Sequence, residues 1–202
     1  AEIAELLEER PTVFDDHTLR ERARPTPDDA TPNSNDILRL LPAVTEVVES
    51  PAVRGALTSL CGRGYQYQAH RHVHFKQPGV VDAETPSSAP PPSFAGGMHQ
   101  DGRFRALFGW NRFIRYPFLP LKCIAFYYPE GVADVKNGPT ACVPGSHYFP
   151  ELDEAMYAKA IALTCPPGSF VLLHSSLWHR GTPELAGKRR IMVKLNFDRT
   201  ET

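Results

Sequence analysis

The chain has 202 residues, with 22 basic and 23 acidic side chains. This balance leaves no electrostatic footprint for nucleic acid or for an anionic membrane surface. No apolar run approaches the roughly 20 residues that cross a bilayer, and no signal peptide opens the chain. The four cysteines stand singly in apolar surroundings, which predicts reduced core thiols. We therefore expect a cytoplasmic protein without nucleic-acid or membrane partners; the sequence does not indicate an oligomeric state.

The first third of the chain predicts helices. Asn35 or Asp36 can cap a helix whose start is bent or interrupted by Pro42. Ser50 followed by Pro51 predicts the start of another helix, which Gly62 should end. We expect residues 1–62 to form a helical support region that covers a sheet.

The rest of the chain predicts many short strands separated by Pro/Gly turns. A period of two runs from Tyr65 to Lys76, and further strands are predicted at 121–128, 140–143, 169–174 and around Trp178-His179. A surface helix is predicted over 151–160. This order predicts one domain over 1–202, mainly β with flanking helices. Its core, 63–202, should be a double-stranded β-helix (a jelly roll) with the N-terminal helices on the outer face of one sheet.

The last strand has the clearest pattern. Ile191, Val193, Leu195 and Phe197 alternate with Met192, Lys194, Asn196 and Asp198, so one face is fully apolar and should lie under the N-terminal helices. The opposite face, which includes Arg190, should point into the barrel.

Two distant segments carry the residues for a metal site. His99 and Asp101 stand two residues apart between glycines, and His179 lies eighty residues after His99. Two imidazoles and one carboxylate with three open positions are the ligand set of non-haem Fe(II) oxygenases. Arg190 follows eleven residues after His179 and can grip a carboxylate through two parallel hydrogen bonds. Arg189 competes for that role, but strand alternation turns neighbours to opposite faces, and only one can point inward.

Several motifs together resemble the phytanoyl-CoA dioxygenase (PhyH-like) family of Fe(II)/2-oxoglutarate-dependent oxygenases. The pieces follow the family order over residues 76–197: Lys76-Gln77-Pro78-Gly79, His99-Gln100-Asp101, Asn137-Gly138-Pro139, Pro144-Gly145-Ser146-His147, Pro167-Gly168-Ser169-Phe170, and His179 with Arg190.

The resemblance implies a role for each site residue. His99, Asp101 and His179 would hold Fe(II), and 2-oxoglutarate would chelate the iron while Arg190 binds its far carboxylate. Thr182 and His74 would add contacts to this cosubstrate. With O2 as the second cosubstrate, the implied activity is oxidation of a C–H bond in a small-molecule metabolite, with hydroxylation as the default outcome.

Two other interpretations stay open. A jelly-roll binding protein that has lost turnover would keep the fold, although the intact Asp101 and Arg190 argue against it. A cupin-type metalloenzyme would instead use His70, His72 and His74, which share one strand face, without 2-oxoglutarate.

Overall fold

The computed structural model describes residues 38, 41–67, 72–76, 97–101 and 122–199. Among the described residues, two helices precede the sheets: α1 spans Pro42–Val48 and α2 spans Pro51–Cys61. Each begins with proline in its first turn, where a missing N–H costs nothing, and Gly62 ends α2 at a φ of 86°. The structure has Pro42 at the first position of α1, whereas the predicted cap at Asn35 or Asp36 lies outside the described residues.

Eight strands lie within the described residues. They are β1 (Gln66–Tyr67), β2 (His72–Lys76), β3 (Lys122–Tyr128), β4 (Thr140–Cys142), β5 (Ile161–Ala162), β6 (Ser169–His174), β7 (His179–Gly181) and β8 (Arg190–Asp198). A 3₁₀ turn at Ser146–Tyr148 and the short helix α3 (Glu154–Tyr157) lie between β4 and β5. The surface helix is therefore shorter than the predicted 151–160 segment.

The strands form two antiparallel sheets. In the larger sheet, β1 and β2 both pair with one side of β8, whose other side pairs with β3, and β3 pairs with β6. The smaller sheet has the order β5-β4-β7. Tyr128 on β3 donates to Thr140 on β4 at 2.8 Å, which shows that the two sheets face each other.

Strand β8 lies between two of the hydrophobic clusters. Its Ile191, Val193, Leu195 and Phe197 pack with Leu41, Val44, Val48, Leu57 and Cys61 of the helical segment. Met192 faces the other way and packs with Ile124, Phe126 and Tyr128 between the sheets. Each buried large apolar side chain stabilises the fold by about 1.5–3 kcal/mol, so a one-residue slip of β8 is strongly disfavoured.

The predicted architecture is confirmed: the chain is mainly β, with a jelly-roll core and helices on the outer face of one sheet. The division into a helical part up to residue 62 and a core from 63 to 202 stays a prediction. No helix among the described residues is long and apolar enough to span a membrane.

Candidate metal centre

The backbone brings His99 and His179 side by side. The two residues form an antiparallel bridge in which His99 N donates to His179 O at 2.9 Å and His179 N donates to His99 O at 3.0 Å. Opposite residues of such a pair project their side chains to the same face. The two imidazole rings consequently lie with their centroids 4.6 Å apart.

Both rings are held in the orientation that a metal requires. The carbonyl of Leu177 lies 2.8 Å from Nδ1 of His179, and that of Gly97 lies 3.3 Å from Nδ1 of His99. Because a carbonyl only accepts, these contacts keep the proton on Nδ1 and leave the Nε2 lone pair for a metal.

The Asp101 carboxylate completes the cluster. Its Oδ1 lies 3.6 Å from Nε2 of His99, and its Oδ2 lies 3.8 Å from Nε2 of His179. One donor atom from each residue lies within 4.8 Å of the others, so the three can hold a single ion. Two neutral imidazole nitrogens and one carboxylate oxygen fit a divalent first-row metal.

The electrostatics of the cluster favour the metal-binding forms of His179 and Asp101. Burial lowers the pKa of His179 to about 4, so this ring is neutral at pH 7. Burial alone would raise the pKa of Asp101, but contact with His99 and the charge of Lys194 hold it well below its ordinary value. The same contact with Asp101 raises the pKa of His99, whose side chain is 53% exposed.

Lys194 is the site residue that sequence reasoning missed. It lies on the inward face of β8, only 7% exposed, and its ammonium group forms an ion pair with Oδ2 of Asp101. Strand alternation could have identified it, because Lys194 stands four residues after Arg190 and residues at even spacing on a strand share a face.

Arg190 is buried at the start of β8. It is 4% exposed, and its Nη1 donates to Gly138 O at 2.6 Å. The Thr182 hydroxyl, also buried, donates to the neighbouring Pro139 O at 2.6 Å. Arg189 instead points outward and pairs with Glu130 at 2.7 Å, with its side chain 39% exposed. The two arginines therefore lie on opposite sides of the strand.

The glycine at 138 is required by this packing. Its φ is +66°, and a Cβ there would lie 3.0 Å from Thr182 O. A side chain at this position would push the turn away from the segment that follows β7.

The three-histidine alternative lies largely outside the described residues. His72 and His74 lie on β2, where their backbones pair with Lys194 and Met192, but their side chains and His70 are not described. The role predicted for His74 is therefore still a prediction.

His147 and His174 form a second pair of imidazoles. Their rings stack with centroids 4.9 Å apart, and burial lowers the pKa of both, that of His174 to about 4. Ser146 beside them accepts a hydrogen bond from Trp178 N at 3.0 Å, which fits a turn residue. Among the described residues, the cluster of three metal-binding side chains is His99, Asp101 and His179.

Comparison with known proteins supports this architecture. The family model for phytanoyl-CoA dioxygenase (PhyH) matches residues 12–192. The uncharacterized protein Rv1501 of Mycobacterium tuberculosis is 29% identical over 126 residues, which are 61% of this chain and 42% of that protein. The chain thus spans less than half the length of this curated relative.

Solved structures share the fold at low identity. AviO1 from Streptomyces viridochromogenes superimposes with a TM-score of 0.62 at 17% identity, covering 100% of this chain and 84% of AviO1. Iron-bound HygX from Streptomyces hygroscopicus has a TM-score of 0.55 at 12% identity, covering 82% and 71% of the two chains.

A third structure is SnoN, a non-haem α-ketoglutarate-dependent epimerase from nogalamycin biosynthesis. Its TM-score is 0.54 at 15% identity, covering 80% of this chain and 58% of SnoN. The family match extends over β1 to β7, the start of β8 and the segment that carries His99 and Asp101. The chain belongs to the phytanoyl-CoA dioxygenase family.

Proposed function

We propose that this chain is an Fe(II)/2-oxoglutarate-dependent oxygenase that oxidises a C–H bond of a small molecule, with hydroxylation as the default outcome. The observation that carries the proposal is the convergence of one donor atom each from His99, Asp101 and His179 within 4.8 Å. Membership in the phytanoyl-CoA dioxygenase family supports it. Two proteins with a similar fold also support it, namely HygX, which was solved with iron bound, and SnoN, an α-ketoglutarate-dependent epimerase.

Each ligand residue would act through a specific atom. His99 and His179 would bind Fe(II) through Nε2, because their Nδ1 atoms face backbone carbonyls. Asp101 would contribute a carboxylate oxygen that stays ionised at neutral pH. Bound there, Fe(II) would supply the oxidising chemistry, in which one oxygen atom of O2 would go to the substrate and the other to succinate, with release of CO2 from 2-oxoglutarate.

The arginine end of the cavity would bind the cosubstrate. Arg190 is buried and its guanidinium is oriented by Gly138 O, so it would meet the far carboxylate in a preset orientation. Thr182 already donates to Pro139 O, so its hydroxyl would have to rotate to donate to the cosubstrate. His74 would add a contact from β2.

The wall beside the ligands is apolar. The Phe126 ring lies 5.8 Å from that of His179, and Met192 packs in the same cluster between the sheets. This wall would exclude water from the neighbourhood of the metal ligands.

Turnover of 2-oxoglutarate tests the proposal. Purified protein is supplied with Fe(II), 2-oxoglutarate and O2, and succinate is measured with and without candidate small molecules. We expect succinate from the wild type and none from Asp101→Ala, while Asp134→Ala, which removes an exposed carboxylate elsewhere, serves as the matched control. Equal succinate from Asp101→Ala and the wild type would contradict the proposal.

The same experiment separates the alternatives. A binding protein that has lost turnover would bind metal and form no succinate with any candidate. A cupin-type enzyme would lose its metal in His72→Ala and His74→Ala while keeping it in His179→Ala. Analysis of the oxidised product would distinguish hydroxylation from epimerisation, the reaction named for SnoN.

A further inference from the structure

A buried lysine on β8 faces the cluster formed by His99, Asp101 and His179. Lys194 is 7% exposed, and its backbone lies in register with Phe126 on β3 and His72 on β2. Its ammonium group forms an ion pair with Oδ2 of Asp101, whose side chain is 20% exposed. The contact connects the middle of β8 to the separate segment that carries His99 and Asp101.

Burying an ammonium group costs free energy unless the group is paired. A lysine at this buried position therefore does not have the usual role of a surface lysine, which is to keep the protein soluble. An apolar residue would fill the same inward position beside Phe126 and Met192 without that cost. The lysine instead places a positive charge beside one oxygen of the Asp101 carboxylate, Oδ2.

The two oxygens of Asp101 have different surroundings. Oδ1 lies 3.6 Å from Nε2 of His99. Oδ2 lies 3.8 Å from Nε2 of His179 and carries the contact with Lys194. Both oxygens border the imidazoles, so without the lysine either or both could bind an ion placed there.

We propose that Lys194 is a positioning residue that holds Oδ2 of Asp101 and so makes this carboxylate bind its metal through Oδ1 alone. The inference rests on the proposed function, since it concerns the metal that His99, Asp101 and His179 would share.

The number of donors decides what else the metal can bind. Two imidazoles and one carboxylate oxygen leave three of six octahedral positions open. A second carboxylate oxygen would leave two, which a chelating 2-oxoglutarate fills completely. By keeping Oδ2 occupied, Lys194 retains the position that O2 needs.

Counting metal-bound water tests the inference without turnover. The full chain is loaded with Mn(II) alone, the number of bound ions is measured by equilibrium dialysis, and bound water is counted from proton relaxation per bound ion. Lys194→Met removes the charge, and Lys194→Arg keeps it. Lys122→Met is the matched control, because Lys122 is 3.8 Å from the Asp198 carboxylate at the far end of β8.

We expect three bound waters in the wild type, in Lys194→Arg and in Lys122→Met, and two in Lys194→Met. Relaxivity per bound ion should thus fall by about one third in Lys194→Met. A folded Lys194→Met that binds no Mn(II), while Lys194→Arg binds it, also supports the inference, because charge on Oδ2 is then required to present Oδ1.

Three results would overturn the role proposed for Lys194. They are two metal-bound waters in the wild type, three in fully loaded Lys194→Met, or loss of Mn(II) binding from both Lys194→Met and Lys194→Arg when both are folded. If Lys194→Met does not fold, the water counts of the wild type and Lys194→Arg decide. A wild type that binds no Mn(II) would remove the proposed function as well, whereas a wild type with one ion and two waters removes only the role of Lys194.

Discussion

Replacement of Arg190 by Met should sharply weaken the binding of 2-oxoglutarate. Arg190 is 4% exposed and held by Gly138 O at 2.6 Å, so a carboxylate paired with it is removed from water. Truncating one partner of a buried, hydrogen-bonded charge pair costs about 2–5 kcal/mol. At 1.4 kcal/mol for each factor of ten, the Kd should rise by about 30-fold to several thousand-fold.

The neighbouring Arg189 provides the matched control. It pairs with Glu130 at the surface, where such pairs contribute about 0–1 kcal/mol, so Arg189→Met should leave the Kd unchanged within about twofold. The assay is calorimetric titration of 2-oxoglutarate into Mn(II)-loaded protein, in which no turnover consumes the ligand. Circular dichroism checks that Arg190→Met folds, and Arg190→Lys provides a second variant that keeps the charge but loses the paired donors.

The reasoning is refuted if Arg190→Met changes the Kd by less than about threefold, or if Arg189→Met weakens binding as much as Arg190→Met. Either result would mean that strand alternation at the start of β8 does not decide which of the two arginines binds 2-oxoglutarate.

Three further predictions concern stability. An added Cβ at Gly131 would lie 2.5 Å from Pro167 N, whereas Gly168, also at positive φ, has no atom within 4 Å of the added Cβ. Urea unfolding should show a loss of about 1–2 kcal/mol for Gly168→Ala and at least about 1 kcal/mol more for Gly131→Ala. Burial lowers the pKa of His174 from 6.5 to about 4, so as pH falls through this window the unfolded state takes up its proton first and stability is lost. His174→Asn, which can still accept from Ser176 N, should remove up to about 3 kcal/mol of that loss in pH-dependent unfolding. Leu57→Ala should cost about 2–5 kcal/mol by urea unfolding, because Leu57 is 0% exposed under β8, without changing the number of metal ions bound.

Each of these has a contrary outcome. Equal unfolding midpoints for the two glycine variants would contradict the backbone clash at Gly131. Parallel pH profiles for the wild type and His174→Asn would show that burial does not perturb this ring. Loss of metal binding in folded Leu57→Ala would mean that the helical layer shapes the metal centre.

Local patterns in the sequence predicted much of the fold. Strand β8 has an apolar residue at every second position from Ile191 to Phe197, so both the strand and the face that it turns to the helices follow from a period of two. Proline at 51 and glycine at 62 bound α2 because their backbone preferences act locally.

Other features depend on tertiary context. Helix α3 is confined to Glu154–Tyr157, because the chain soon turns into β5 at Ile161, which pairs with Cys142. The predicted run from Tyr65 to Lys76 is described as β1 and β2, each pairing with β8.

Some features of the candidate site can likewise be predicted from the sequence, whereas others depend on the fold. The spacing of His99 and Asp101, with a distant histidine, is visible in the sequence because family motifs surround it. The bridge between His99 and His179 and the contact of Lys194 with Asp101 are not, because they depend on which strands lie opposite each other. Strand alternation predicts that Lys194 faces the inside of the barrel. Which carboxylate it contacts depends on the three-dimensional arrangement of the chain.

Metal content measured without oxygen tests the central claim most directly. Wild-type protein dialysed against Fe(II) should hold one ion per chain and develop visible charge-transfer absorption when 2-oxoglutarate is added. His179→Ala, which removes a ligand whose side chain is 4% exposed, should lose both. One tightly bound ion and unchanged absorption in His179→Ala would show that His99, Asp101 and His179 do not form the metal centre.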